Sequence, residues 1–134
     1  MLLPNDAYVA VVDGEKLSLF RNTGDERAPD LTAMSVPEVD RANKGSGSRH
    51  RSTAANPDDS QQEEDGFAAG VAGMLNAQVL AGHIGALVII APPRTLGELR
   101  KHYHKALAAN LLGEVAKDLT GHALPDIHKA IANA

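Results

Sequence analysis

Leu87-Val88-Ile89-Ile90-Ala91 is the stretch that most restricts how this chain can fold. It is short, apolar throughout and rich in β-branched residues, which reads as a strand. A strand wetted on one face alternates apolar and polar residues, so an unbroken apolar strand needs cover on both faces. The chain must therefore build a sheet with helices on both sides, the α/β solution. Pro92-Pro93 ends the strand, because proline has no N–H to give to a neighbour.

The flanking patterns supply the rest of such a domain. Tyr8-Val9-Ala10-Val11-Val12 is a compact strand, and Asp13-Gly14 is a hairpin-turn signal. Lys16-Leu17-Ser18-Leu19-Phe20-Arg21 alternates as a half-buried strand does. A third strand is expected around Leu31–Val36, limited by Pro37. Phe67, Val71, Met74, Leu75 and Leu80 follow helical spacing, and Ser60 with Glu63 stands at capping-box distance ahead of them. Gly66, Gly70 and Gly73 weaken that helix intrinsically and are expected where it packs closely on the sheet. Thr95 and Glu98 suggest a second capping box, followed by a stripe of Leu96, Leu99, Tyr103, Ala106 and Leu107. Leu111–Leu119 is expected to hold the last strand, and Pro125 suits the first turn of a terminal helix over 126–132. The expected order is β-β-β-α-β-α-β-α. It gives one α/β domain over residues 1–134, with a mixed sheet of about five strands and three main helices. That element order resembles the ribonuclease H-like arrangement.

Composition fits this plan. The 134 residues suit a single domain. Aromatic residues make up only 3%, so Val, Leu, Ile and Ala must fill the core. The net charge of −4 argues against wholesale coating of nucleic acid and leaves room for a local basic patch. With no cysteine, disulfides, thiolate chemistry and sulfur-ligated zinc are excluded. The start, Met1–Asp6, has neither a basic region nor a long apolar run. The apolar run Ile84–Ala91 is far short of the ~20 residues needed to span a bilayer. A cytoplasmic protein without membrane insertion is the expectation.

From about 40 to 62 apolar residues nearly vanish, predicting a flexible polar loop. Arg41, Lys44, Arg49, His50 and Arg51 are uninterrupted by acids there, and Gly45-Ser46-Gly47-Ser48 lies between them. Such a segment can grip phosphates. It can equally be a solvated loop neutralised by Asp58, Asp59, Glu63, Glu64 and Asp65, or a contact for another protein.

Nothing in the sequence announces a catalytic site. The chain has no nucleophile elbow, Walker loop or dinucleotide fingerprint, and nothing points to a cofactor. Six histidines invite a metal site. His102 and His104 are two apart and point to different sides of a helix, and His122 and His128 have no carboxylates at metal-site spacing. A two-metal nuclease needs clustered carboxylates. Asp13 and Asp118 are candidates, but the central strand supplies no acid. The expectation is a non-catalytic protein with no metal.

The stretch Leu87–Arg100, reading LVIIAPPRTLGELR, resembles the signature of the bacterial host-attachment protein family. Glu114-Val115-Ala116-Lys117-Asp118-Leu119-Thr120 resembles a second segment of that family. Val11-Val12-Asp13-Gly14 and Leu19-Phe20-Arg21 resemble its opening hairpin, and Gln62-Glu63-Glu64 its helix start. The resemblance implies an accessory or interaction protein that affects attachment to host cells. It also implies a relation to the central domain of archaeal and eukaryotic peptide-chain release factors, and so a ribosome or RNA partner. That domain carries a Gly-Gly-Gln tip on a loop before its long helix. Here the comparable loop holds Gly45-Ser46-Gly47-Ser48-Arg49, and Gly-Gly-Gln occurs nowhere in the chain. The candidate binding residues are Arg49, Arg51, Lys44, Arg94, Lys117 and Asp118.

Overall fold

A computed structural model describes residues 1–40 and 59–134. Its elements are β1 (Tyr8–Val12), β2 (Leu17–Asn22), β3 (Leu31–Met34), α1 (Asp59–Leu80), β4 (Leu87–Ala91), α2 (Pro93–Arg100), α3 (Lys105–Asn110), β5 (Leu111–Ala116) and α4 (Leu124–Ala132). The strands form one five-stranded mixed sheet in the order β3-β2-β1-β4-β5. β2 runs antiparallel to β1 and β3, whereas β1, β4 and β5 run parallel. The parallel ends are thus brought together by helical crossovers, as expected of an antiparallel hairpin followed by βα units.

Alternation along the strands divides the core into two faces. Ala10 and Val12 of β1 and Leu87, Ile89 and Ala91 of β4 pack with α1, α2 and α3. Val9, Val11, Val88 and Ile90 point the other way, onto Ile127, Ala130 and Ile131 of α4 and onto Leu3. Every residue of Leu87–Ala91 is completely inaccessible to solvent, which explains why the strand carries no polar position. Burying one such Val, Leu or Ile side chain contributes about 1.5–3 kcal/mol, so the apolar run is itself a large source of stability.

Four helices stand where three were expected, because the helix predicted through Leu107 is broken. α2 starts at Pro93 in the N1 position with Pro92 before it, so Thr95 is already helical and makes no cap. Glu98 serves Lys101 and His102 instead, at 3.0 and 3.2 Å. The break has a cause in α1. Asn76 Nδ2 donates to His102 O at 2.8 Å, and Asn76 Oδ1 accepts from His104 N at 2.9 Å. One amide side chain thus satisfies the backbone on both sides of the gap. His104 then caps α3, its Nδ1 accepting from Ala106 N at 3.0 Å.

Other expectations shift by a turn. Ser60 lies inside α1, not ahead of it, so residues 59–62 are helix where loop was expected. The acidic start suits the positive end of the helix dipole, and Gln61 Nε2 donates to Asp65 Oδ1 at 2.6 Å one turn on. The rest of the predicted flexible segment, over 41–58, lies outside the described residues. β5 ends at Ala116, which leaves Lys117, Asp118 and Leu119 in the connection to α4. A methyl group on Gly70 would stand 2.5 Å from Asp40 O and 2.9 Å from Val39 Cγ1. Gly70 is therefore packed against the chain leaving β3, not against the sheet.

Candidate functional site

The parallel strands β1, β4 and β5 deliver three of the expected segments to one edge of the sheet. Asp13 follows β1, Pro92-Pro93-Arg94 follow β4, and Lys117-Asp118 follow β5. In open α/β sheets this carboxyl edge is where binding sites gather.

Asp13 is committed to the fold. Its Oδ1 accepts from Glu15 N at 2.7 Å and Lys16 N at 2.6 Å, closing the β1–β2 turn. No glycine in this turn has positive φ, so the carboxylate and not a left-handed glycine shapes the Asp-Gly hairpin. Asp13 Oδ2 accepts from Thr120 Oγ1 at 2.6 Å, a bond across 107 residues that ties the β5–α4 connection to β1. Desolvation pushes the Asp13 carboxyl upward. The hydrogen bonds from Thr120, Glu15 and Lys16, with the Lys16 charge, outweigh it and hold the group below its ordinary value.

Asp118 joins this cluster. Its Oδ1 lies 3.0 Å from Thr120 Oγ1. A hydroxyl has one proton to give, and the shorter contact goes to Asp13. No ion pair joins Lys117 and Asp118 among the described residues. Among the described residues no set of three or more His, Asp and Glu side chains is placed to hold a metal ion. His122 does have a carboxylate near it, Asp126 Oδ2 at 3.2 Å, but as an isolated pair.

Arg94 stands apart from Lys117 and Asp118. It is exposed on α2 and lines a groove of about 340 Å³ with Gln61, Asp65, Gly97, Glu98 and Lys101. The Glu98 carboxyl is pushed up by desolvation and, more strongly, pulled down by its bonds to Lys101 and His102. Lys117 lines a different groove of about 320 Å³, with Leu119, His122, Asp126, Lys129, Ala130 and Asn133. Lys44, Arg49 and Arg51 lie outside the described residues. A third groove, between Gly14–Lys16 and Ser60, Glu63 and Glu64, is rimmed mainly by acids. Another hollow, of about 400 Å³, is lined by Leu2, Leu3, Ile131 and their neighbours, away from the carboxyl ends of the strands.

Beside this edge, Glu114 on β5 holds two partners. Tyr103 Oη donates to its Oε2 at 2.7 Å and Arg100 Nε to its Oε1 at 3.0 Å. Burial, with the hydrogen bond to the Glu114 carboxylate, pushes the Tyr103 hydroxyl well above its ordinary value, so it stays a donor. No sequence signal marks this trio, because Tyr103 reads there as one more apolar position of a helix.

Comparison with known families decides the relation. The model of bacterial archaeo-eukaryotic release factor family 12 matches residues 6–131, from just before β1 to the end of α4. The chain belongs to this family. The relation to release factors expected from the strand and Pro-Pro-Arg segment is thereby shown, and the five-stranded α/β sheet is compatible with a release-factor-like domain. No curated protein matches the chain.

Proposed function

We propose that this chain is a cytoplasmic, non-hydrolytic ribosome- or RNA-binding module of the release-factor type. The family match over residues 6–131 carries this reading. The lack of any Gly-Gly-Gln sequence supports a role without peptidyl-tRNA hydrolysis. The carboxyl edge supports binding over catalysis, since Asp13 is spent on its turn and on Thr120. The strand order supports reading the architecture as ribonuclease H-like. No helix among the described residues is long and apolar enough to cross a membrane, which suits a partner met in solution. Arg94 is an exposed cation available to such a partner, and Arg49, Arg51 and Lys44 add charge in the sequence before α1.

A second reading is an accessory protein that affects attachment to host cells indirectly. Its support is the resemblance of Leu87–Arg100 and Glu114–Thr120 to the host-attachment family, segments that here form the adjacent strands β4 and β5 and their exits. Recovery of the tagged chain from its native lysate, with and without ribonuclease, separates the two. Ribosomal components that disappear on ribonuclease treatment support the first reading. A protein partner that survives ribonuclease, with no ribosomal components, supports the second.

A further inference from the structure

We propose that the groove between the β5–α4 connection and α4 is a contact site for the phosphate backbone of RNA, with Lys117 and Lys129 as its cationic residues; this deepens the ribosome-associated reading above. The groove measures about 320 Å³, and Lys117 and His122 enter it from the connection while Asp126 and Lys129 enter from the helix. Both lysines are exposed, and neither has a carboxylate within 4.0 Å among the described residues. The one acid lining the groove, Asp126, is already engaged by His122 Nδ1 at 3.2 Å. The floor includes Leu119 and Ala130, both buried, so the groove is backed by the packed core.

The placement runs against the average of the molecule. The whole chain carries a net charge of −4, and the groove at the β1–β2 turn presents Glu15, Glu63 and Glu64 with a single Lys16. An anion is drawn to the two exposed lysines on the β5 side of the carboxyl edge. Lysine ammonium groups are point charges with rotatable donors, and they hold phosphate without fixing a base. Contacts of this kind position a strand and carry little sequence information. RNA is preferred to an acidic peptide because the family relation is to translation factors.

The test measures binding of the full chain to a labelled, unstructured RNA oligonucleotide over a range of salt concentrations. Lys117→Ala/Lys129→Ala is compared with wild type, and Lys105→Ala on α3 is the charge-matched control. On a single strand, each phosphate that is no longer neutralised lowers the salt slope by about 0.7, so the double variant is expected to fall short of wild type by about 1.4. The decrease should be similar for RNAs of different sequence, with the control unchanged. All three sites are exposed, and matching circular dichroism melts establish that the variants fold. A double variant with the wild-type slope overturns the proposal, as does a wild-type chain that binds a poly-glutamate peptide but no RNA. Ribosome association that survives the double substitution, with an unchanged slope, overturns the groove and leaves the ribosomal reading standing. A lysine-dependent slope without ribosome association does the reverse.

Discussion

Replacing Asn22 should be among the most damaging single changes this protein can receive outside its apolar core. Asn22 ends β2 and is the one polar residue among those described that is wholly buried. Its Nδ2 donates to Leu3 O at 2.8 Å and Pro4 O at 3.1 Å, with a longer contact to Asp25 O at 3.4 Å. Its Oδ1 accepts from Gly24 N and Asp30 N, both at 2.9 Å. One side chain thus fastens the N-terminal segment, the end of β2 and the loop leading to β3. Four good hydrogen bonds at about 1 kcal/mol net each give about 4 kcal/mol. Some of the freed groups lie near the surface, where water can reach them, so about 3 kcal/mol is the expected loss for Asn22→Ala. For a domain of this size that corresponds to a fall in melting temperature of roughly 10 °C. Urea unfolding followed by circular dichroism measures it, with the midpoint shifting and the slope unchanged. Asn22→Asp sharpens the test. It keeps the acceptors for Gly24 and Asp30 but turns an oxygen toward the carbonyls of Leu3 and Pro4. Burial and those carbonyls favour the protonated acid, so its folded pKa rises above the ordinary value of about 3.9. The variant is then least destabilised below that value and loses stability as pH rises through the folded pKa. A loss below about 1 kcal/mol for Asn22→Ala, or an Asn22→Asp variant whose penalty does not grow with pH, would show that the Asn22 hydrogen bonds do not hold these segments together.

Four further outcomes follow from glycine and asparagine positions in the helices and from Asp13. Gly97→Ala should stabilise the protein by up to about 1 kcal/mol, because the residue is helical and a methyl group there meets nothing within 4 Å. Gly70→Ala should destabilise it by about 1–3 kcal/mol, because the new methyl must displace backbone at Asp40; thermal melts of the pair test both signs. Asn76→Ala should cost about 1–2 kcal/mol and loosen the junction between α2 and α3, visible as faster amide exchange at His104. Asp13 has a folded pKa below its ordinary 3.8, so its contribution is present above that value and is lost as pH falls through the folded pKa. Asp13→Asn should therefore flatten the acid limb of stability against pH, and an acid limb identical to wild type would show that the Thr120 and turn bonds do not matter.

The parts of this fold that were legible in the sequence are those governed by local pattern. The unbroken run at Leu87–Ala91 required a strand with two covered faces, and it is fully buried between α1–α3 and α4. The β1–β2 hairpin followed from alternation and Asp13-Gly14, and the terminal helix from Pro125. What escaped is what one distant side chain decides. The split between α2 and α3 depends on Asn76, far back in α1, reaching both His102 and His104. Asn22 reads in sequence as an ordinary strand end, and its five partners are scattered from Leu3 to Asp30. At the candidate site, Lys117 and Asp118 were legible as residues at a strand exit. That Asp118 would face Thr120, and that Lys117 would share a groove with Lys129, depends on how the β5–α4 connection folds back. Arg94 lines a separate groove, with Gln61 and Asp65 of α1.

The most direct test of the functional account is sedimentation of the purified full chain with purified bacterial ribosomes at low and high salt. The chain is expected to travel with the ribosome at low salt, to be released progressively as salt rises, and not to release peptide from peptidyl-tRNA while bound. A chain that stays at the top of the gradient at every salt concentration, or that hydrolyses peptidyl-tRNA without a Gly-Gly-Gln sequence, would contradict it.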